Sequence, residues 1–575
     1  MTVSKHPNPQ FERGNWISLN GEWDFAFSPL SKPRAKRFRT EQQIQNEYAA
    51  EHFSHKINVP FCPQSVLSGI AYTDFIGSAR YRKMITCRKN GQRVILHIGA
   101  ADYLTTVFIN GKPAGRHYGG YTSFSFDITE LLTDGENEVY IYCEDNEKNP
   151  LVCRGKQCEK RKSQGCDYTR TTGIWQNVYL EYVPQSYIKQ FKIVPDYQQS
   201  TVTVTADLVG TGTLQAAVYY EGKPVGSAET NGNELTVKLT ETHLWEVGAG
   251  RLYDLTLTYG EDKVKSYFGL RNVTLDGLRF LLNGKSVFQR LVLDQGFYKK
   301  GIYTAQDDAG LLRDIHLSKA LGFNGARLHQ KVFDPRFLYF CDREGYLVWG
   351  EYANWGLDYS DPEATAVFLR EWEEVLARDF NHPAIIGWCP FNETWDYKGR
   401  PQRDSLLADV YDFTKRYVPT RPCIDTSGNF HVKTDIFDLH DYRYDPVAFR
   451  TSYDKFVTDN ELYQHVLLEN EGRQVYRGEP VFISEYGGIK WEADRSVKAW
   501  GYGADVKTPE EFAKRYAALT AALIENEKFF GFCYTQLYDI EQEQNGLYTY
   551  DREPKFDQSI YEQIKAANTE KAAIE

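Results

Sequence analysis

The hydrophobic period of the chain changes near residue 272, and this change restricts the fold more than any other feature of the sequence. Downstream, short apolar runs alternate with amphipathic stretches of about 12–20 residues, the βα pattern of a parallel sheet. Eight runs are legible: Val287–Leu293, Gly325–His329, Leu347–Glu351, Ile385–Glu393, Pro422–Thr426, Ile436–Tyr442, Val481–Glu485 and Phe529–Gln536. In the fifth and sixth the apolar stretch is short. Between runs lie readable helix starts. Thr508-Pro509-Glu510-Glu511 offers an N-cap, a proline at the first helical position and a capping-box glutamate. Ser360-Asp361-Pro362-Glu363 predicts a helix through Phe380 in the same way. Eight strands in about 300 residues is what a (β/α)8 TIM barrel requires, here over 272–575.

Upstream the period is two. Leu19 to Phe25, Arg93 to Ile98, Thr106 to Ile109 with Asn110-Gly111, and Asp134-Gly135 ahead of Glu138 to Tyr142 read as short strands with turn signals. No helical period of useful length interrupts them, so residues 1–184 predict an antiparallel sandwich or jelly roll. Residues 185–271 alternate again in Thr201 to Thr205, Leu235 to Leu239 and Leu252 to Tyr259, with Lys263 to Gly269 as the last strand. That spacing predicts an immunoglobulin-like sandwich. A length of 575 residues accommodates such a three-part chain.

Composition narrows the function. A formal net charge of −11 argues against nucleic acid or anionic lipid as a partner. The start, Met1 to Arg13, is polar and lacks the apolar core of a secretion signal. No run approaches the ~18 apolar residues of a membrane span. Ten cysteines contain no C-x-x-C pair, and the cluster Cys153, Cys158 and Cys166 fits no standard zinc spacing. Free thiols and a cytoplasmic location follow, with no metal or cofactor implied. Aromatic residues make up 15% of the chain, enough either for β-rich cores or for flat surfaces that stack on a sugar ring.

A barrel carries its chemistry at the C-terminal ends of its strands. The fourth run closes in Asn392-Glu393 and the seventh in Ser484-Glu485. Strands four and seven are not neighbours, so the two carboxylates should face one another across the mouth. Paired carboxylates are what glycosidic cleavage needs, although a strand-end glutamate also serves as a cap or ion-pair partner.

At these residues the sequence resembles glycoside hydrolase family 2, over nearly its whole length. His382-Pro383 through Trp388 to Asn392-Glu393 is similar to the family's acid/base motif, and Phe482-Ile483-Ser484-Glu485-Tyr486-Gly487 to its nucleophile motif. The resemblance implies a sugar-binding jelly roll, an immunoglobulin-like domain and a catalytic barrel. It also implies a retaining exo-β-glycosidase with Glu393 as acid/base and Glu485 as nucleophile. Gly165-Cys166-Asp167 through Gly173-Ile174-Trp175 is similar to a first-domain loop that reaches the active site, which makes Asp167 a candidate; the alternative is an Asx-turn. Asn392 would hold the substrate 2-hydroxyl. Tyr442 would hydrogen-bond the nucleophile, and Arg327 would keep it ionised. His329, at the end of the Arg327 run, and His440 are further candidates for substrate contact; a strand-end histidine such as His440 can equally be structural.

The chain departs from the family in four respects. Leu293-Asp294-Gln295-Gly296-Phe297-Tyr298 replaces a histidine-rich motif, and Pro390-Phe391 stands before Asn392 where a glycine is common. The residues that bind magnesium in the large β-galactosidases are not recognisable. At Gln544-Asn545-Gly546-Leu547-Tyr548 the lysine of the glucuronidases' Asn-x-Lys is missing. The expected activity is therefore that of a β-galactosidase, with a β-hexuronidase (β-galacturonidase or β-glucuronidase) as the alternative. A carbohydrate-binding protein on an inactive barrel is the reading from another class. Arg443 could bind a uronate carboxylate, or simply pair with Asp441 or Asp445. The partner is a small carbohydrate or glycoconjugate, and the oligomeric state is left open.

Overall fold

A computed structural model describes residues 5–30, 38–48, 51–146, 148–428, 430–462, 472–492 and 499–575. Met1 to Ser4, the tip of the polar start, lie outside them.

Two antiparallel sheets form the first part. One has four strands, in the order Trp16–Ser18, Val178–Val183, Arg93–Ile98 and Phe124–Asp127. The other has six, in the order His55–Val59, Gly21–Pro29, Ile76–Cys87, Gly135–Glu144, Leu104–Ile109 and Lys112–Tyr118. Their inward residues, among them Trp23, Phe25, Tyr81, Leu96, Val107 and Ile141, make one buried cluster. Asn110 and Gly111 take φ 50° and 74° and turn Ile109 directly onto Lys112, the hairpin the dipeptide predicts. One element was not legible. Glu41–Tyr48 is a helix of eight residues, polar except where Ile44 and Tyr48 pack on Phe108 and Tyr140. One such pair in so short a polar segment is too little period to read, so only tertiary packing marks this helix.

The second part is a smaller pair of antiparallel sheets. Tyr187–Asp196, Thr201–Val209 and Glu234–Lys238 form one, and Lys223–Thr230, Leu214–Tyr220, Leu252–Tyr259 and Asp262–Gly269 the other. Arg13 ties the two parts together. Its guanidinium grips Asp262 through two bonds of 2.9 Å and Glu181 through one of 2.8 Å, all three residues being buried.

All eight expected barrel strands are present: β1 Gln289–Asp294, β2 Gly325–Leu328, β3 Leu347–Glu351, β4 Ile385–Cys389, β5 Thr426–Ser427, β6 Phe437–Asp441, β7 Val481–Gly487 and β8 Phe529–Thr535. Seven pair in parallel in the order β4-β3-β2-β1-β8-β7-β6. The short β5 pairs in parallel with Phe391–Asn392, just beyond β4, and its Ser427 hydroxyl donates to Asp438 of β6, which places it in the gap between the two. The interior is filled rather than open. A Cβ on Gly387 would meet the Trp349 ring at 2.3 Å, which is why the smallest residue stands beside that indole.

Thr508 caps its helix as expected, accepting from the Glu511 amide ahead of Pro509–Ile524. The helix expected from Ser360 starts later, at Ala364–Asp379, and has no side-chain cap. Asp358 captures the Ser360 amide, and Asp361 captures that of Glu363, so those residues spend their signals on turns. Among the described residues no helix is long and apolar enough to cross a membrane.

Replacing Arg13 by alanine would strand the buried Asp262 carboxylate and leave Glu181 only His97 and His6. We expect a loss of about 3–5 kcal/mol, against under about 1 kcal/mol for Arg251→Ala at a surface pair, read as midpoints of denaturant unfolding. Equal effects would show that Arg13 is dispensable at the junction.

Candidate active site

Glu393 leaves the barrel wall through an unusual backbone. Its φ is 49°, in the left-handed region that a side chain with a Cβ rarely takes, and its N–H donates to the Ser427 carbonyl at 3.0 Å. The hydrogen bond from β4 to β5 thus holds a strained residue at the mouth, a usual mark of function. Glu485 lies within β7, with every residue of that strand buried. An oxygen of each glutamate lies within 4.8 Å of the other, and a His440 ring nitrogen lies as close to both. That spacing could also hold a metal ion between the three side chains.

The register of β6 on β7 sets His440 opposite Glu485. Its Nδ1 is 2.7 Å from Glu393, and its Nε2 is 3.0 Å from the Ser427 hydroxyl and 3.4 Å from Glu485. Burial opposes the imidazolium, but Glu485 and Glu393 outweigh it and raise the His440 pKa above the ordinary value. Burial likewise opposes ionised Glu393, and its bond and charge interaction with His440 pull its pKa below the usual carboxylate range. In the resting site the proton of this pair therefore sits on His440.

Glu485 is more heavily committed. Tyr442 donates to one oxygen at 2.5 Å, and Arg327 donates to the other at 3.2 Å. Burial alone would raise its pKa, but the charges of His440 and Arg327 bring it below the usual range. Arg327 also donates to the Ser484 carbonyl at 2.7 Å and the Asn392 amide oxygen at 2.9 Å, and pairs with Glu351 at 2.6 Å. His329 rests on Glu351 at 3.0 Å. Burial and the nearby positive charge of Lys156 keep its pKa well below the ordinary histidine range, so it is neutral.

The structure therefore gathers Arg327, His329, Asn392, Glu393, His440, Tyr442 and Glu485 at one mouth. Asp167 lies on a segment that crosses from the first two sheets, and its carboxylate is 3.4 Å from Arg154. That segment is bound to the barrel: Gln542 donates to the carbonyls of Gly165 and Asp167. Arg443 holds Asp441 through Nε at 2.9 Å, the pairing named as its alternative to a ligand role.

Sequence reasoning missed several groups. Glu351 ends the third apolar run and could have been read as a strand-end carboxylate. Tyr502 stacks on Tyr442 at 3.5 Å between ring centroids, from a loop with no pattern of its own. Glu543 is held by Tyr168 and by Asn545, and Lys156 lies over Trp355; nothing local marked either residue. The unfamiliar strand-one motif is structural. Asp294 accepts from Tyr538 at 2.6 Å, and Gln295 bonds Tyr168 and Gln536.

A buried and a half-buried carboxylate at the strand ends of a (β/α)8 barrel, with cations set to ionise the buried one, make the machinery of a glycoside hydrolase. Residues 273–567 match Glycosyl hydrolases family 2, TIM barrel domain, and residues 186–271 match Glycosyl hydrolases family 2. The chain belongs to glycoside hydrolase family 2. A β-glucuronidase of Paenibacillus borealis is 25% identical over 82% of this chain and 82% of its own. A β-galactosidase of Leuconostoc mesenteroides is 26% identical over 70% of this chain and 42% of its own. The β-glucuronidase of Ruminococcus gnavus in complex with D-glucuronic acid superposes with a TM-score of 0.78 at 18% identity, covering 97% of this chain and 98% of that one.

A raised His440 pKa has a measurable consequence. In ¹⁵N-histidine spectra, the resonance lost in His440→Gln should titrate above the ordinary histidine value of 6.5, and in Glu393→Gln it should fall. The linked stabilisation is complete below the unfolded histidine pKa and is lost as pH rises through the folded one. An imidazole titrating below 6.5 would refute the pairing.

Proposed function

We propose that this hydrolase is a retaining exo-β-glycosidase acting on β-linked hexuronides, with Glu485 as nucleophile and Glu393 as acid/base. The sugar assignment is carried by the comparisons. The β-glucuronidase relative aligns over most of both chains, whereas the β-galactosidase aligns over less than half of its own length. This favours the hexuronide over the galactoside expected from the resemblance. Residues 1–184 would form a jelly roll that completes the sugar site, 185–271 an immunoglobulin-like spacer, and 272–575 the catalytic barrel.

The mechanism follows from the charges. Attack needs Glu485 ionised, and Arg327, His440 and Tyr442 favour that form. Departure of the leaving group needs a proton on Glu393, and the resting proton is on His440, 2.7 Å away. As negative charge leaves Glu485 for the anomeric bond, His440 loses part of what keeps it protonated, and its proton can pass to Glu393 and on to the leaving oxygen. Water then attacks the glycosyl-enzyme with Glu393 as base. Asn392 is positioned for the 2-hydroxyl: Arg327 holds its amide oxygen, while its amide nitrogen bonds no described residue.

Glu485→Gln should cut turnover by several orders of magnitude with substrate binding largely kept. A 2-deoxy-2-fluoro-β-glucuronosyl fluoride should label Glu485 in the wild type, as read by peptide mass spectrometry. Labelling elsewhere would refute the nucleophile, and labelling by the galactosyl analogue alone would refute the sugar.

Glu393→Ala should slow substrates with poor leaving groups far more than nitrophenyl glycosides, which leave without protonation. Azide should restore rate and give the β-glycosyl azide. An α-azide would exclude retention.

A further inference from the structure

One cation at the mouth forms no ion pair with any described residue. Lys156 lies on the segment sent across by the N-terminal sheets, and only 5% of its surface is exposed. The backbone fixes where it points. Gly155 takes φ 58° and donates to the carbonyls of Ala353 and Trp355; a Cβ there would come within 2.6 Å of the Gln330 carbonyl oxygen. On the other side, the Lys156 carbonyl accepts from the Tyr168 amide at 2.7 Å. Nζ rests 3.9 Å from the centre of the Trp355 ring, and Trp355 donates through Nε1 to the carbonyl of Asn392, the residue before Glu393.

Burial works against the Lys156 charge, yet Cys166, Glu543, Glu485 and Glu393 hold its pKa above the ordinary lysine value. None of these makes an ion pair with it, and no described residue hydrogen-bonds its Nζ. Glu543 in particular is occupied by Tyr168 and Asn545. The arginines of this region, Arg154, Arg327 and Arg443, are already spent on carboxylates of the protein, and His440 on Glu393 and Glu485. A buried ammonium kept charged but unpaired is costly unless a ligand completes its shell.

We propose that Lys156 binds the carboxylate of the hexuronic acid, so that recognition of the acidic sugar is supplied by the N-terminal sheets rather than by the barrel. This rests on the hexuronide reading above.

The test compares 4-nitrophenyl β-D-glucuronide with 4-nitrophenyl β-D-glucoside, the same ring bearing CH2OH in place of the carboxylate. In Lys156→Met, kcat/KM for the glucuronide should fall about a hundredfold or more, mainly through KM, and for the glucoside by less than about threefold. Lys156→Arg should recover part of the loss. Inhibition by free glucuronate against free glucose gives the same comparison at equilibrium, and Lys156→Gln serves if the methionine variant does not fold. Equal losses on both substrates would overturn the proposal, placing the ammonium in support of the glutamates. A wild-type enzyme that prefers neutral glycosides would instead overturn the hexuronide reading, and that result is read before any variant is made.

Discussion

The buried guanidinium of Arg327 is the interaction on which the mouth of the barrel depends. It rises from β2 and reaches Glu351, Asn392, the Ser484 carbonyl and Glu485. Each of those carboxylates is almost wholly buried, and neither could stay ionised there alone. A planar, permanently charged group can serve several acceptors at once, which a lysine ammonium could do only as a point charge. The same contacts fix geometry, because Asn392 and Ser484 each precede a candidate catalytic glutamate.

His440 adds a second kind of control. Arg327 holds a fixed charge, whereas the imidazole holds a transferable proton between two carboxylates whose needs are opposite. In the proposed mechanism one must be bare to attack and the other must carry a proton to release the leaving group. A histidine touching both couples the two states, so the pair titrates as a unit rather than as two independent acids. The Ser427 hydroxyl beside Nε2 holds the ring from the third side.

The N-terminal sheets are part of this site. Their long segment lays Gly155 on β3's exit loop, Tyr168 on Glu543 and Asp167 on Gln542, so that first part and barrel share one mouth. The chain of Gln295, Tyr168, Gln536, Asn545 and Glu543 then carries hydrogen bonds from strand one round to the residues after strand eight. A buried polar network of this kind is tolerable only when its members find partners.

The sequence by itself determined the order of the architecture and the two glutamates. Hydrophobic period is a local property, and a barrel puts strand-end polar residues at its mouth wherever the strands lie in the chain. Asn110-Gly111 and Thr508-Pro509 were equally readable, because turn and cap chemistry act over a few residues. Other features needed the tertiary structure. Glu41–Tyr48 is anchored by Ile44 and Tyr48 on an aromatic cluster that its own sequence does not reveal, and the expected start at Ser360 fails because Asp358 competes for its amide. Arg443 could be read as a ligand until Asp441 was seen to hold it. Lys156, Glu543 and Tyr502 lie far from the glutamates in the chain and carry no local pattern. Their part in the site was decided by folding alone, since long-range contact and shared burial leave no period in a sequence.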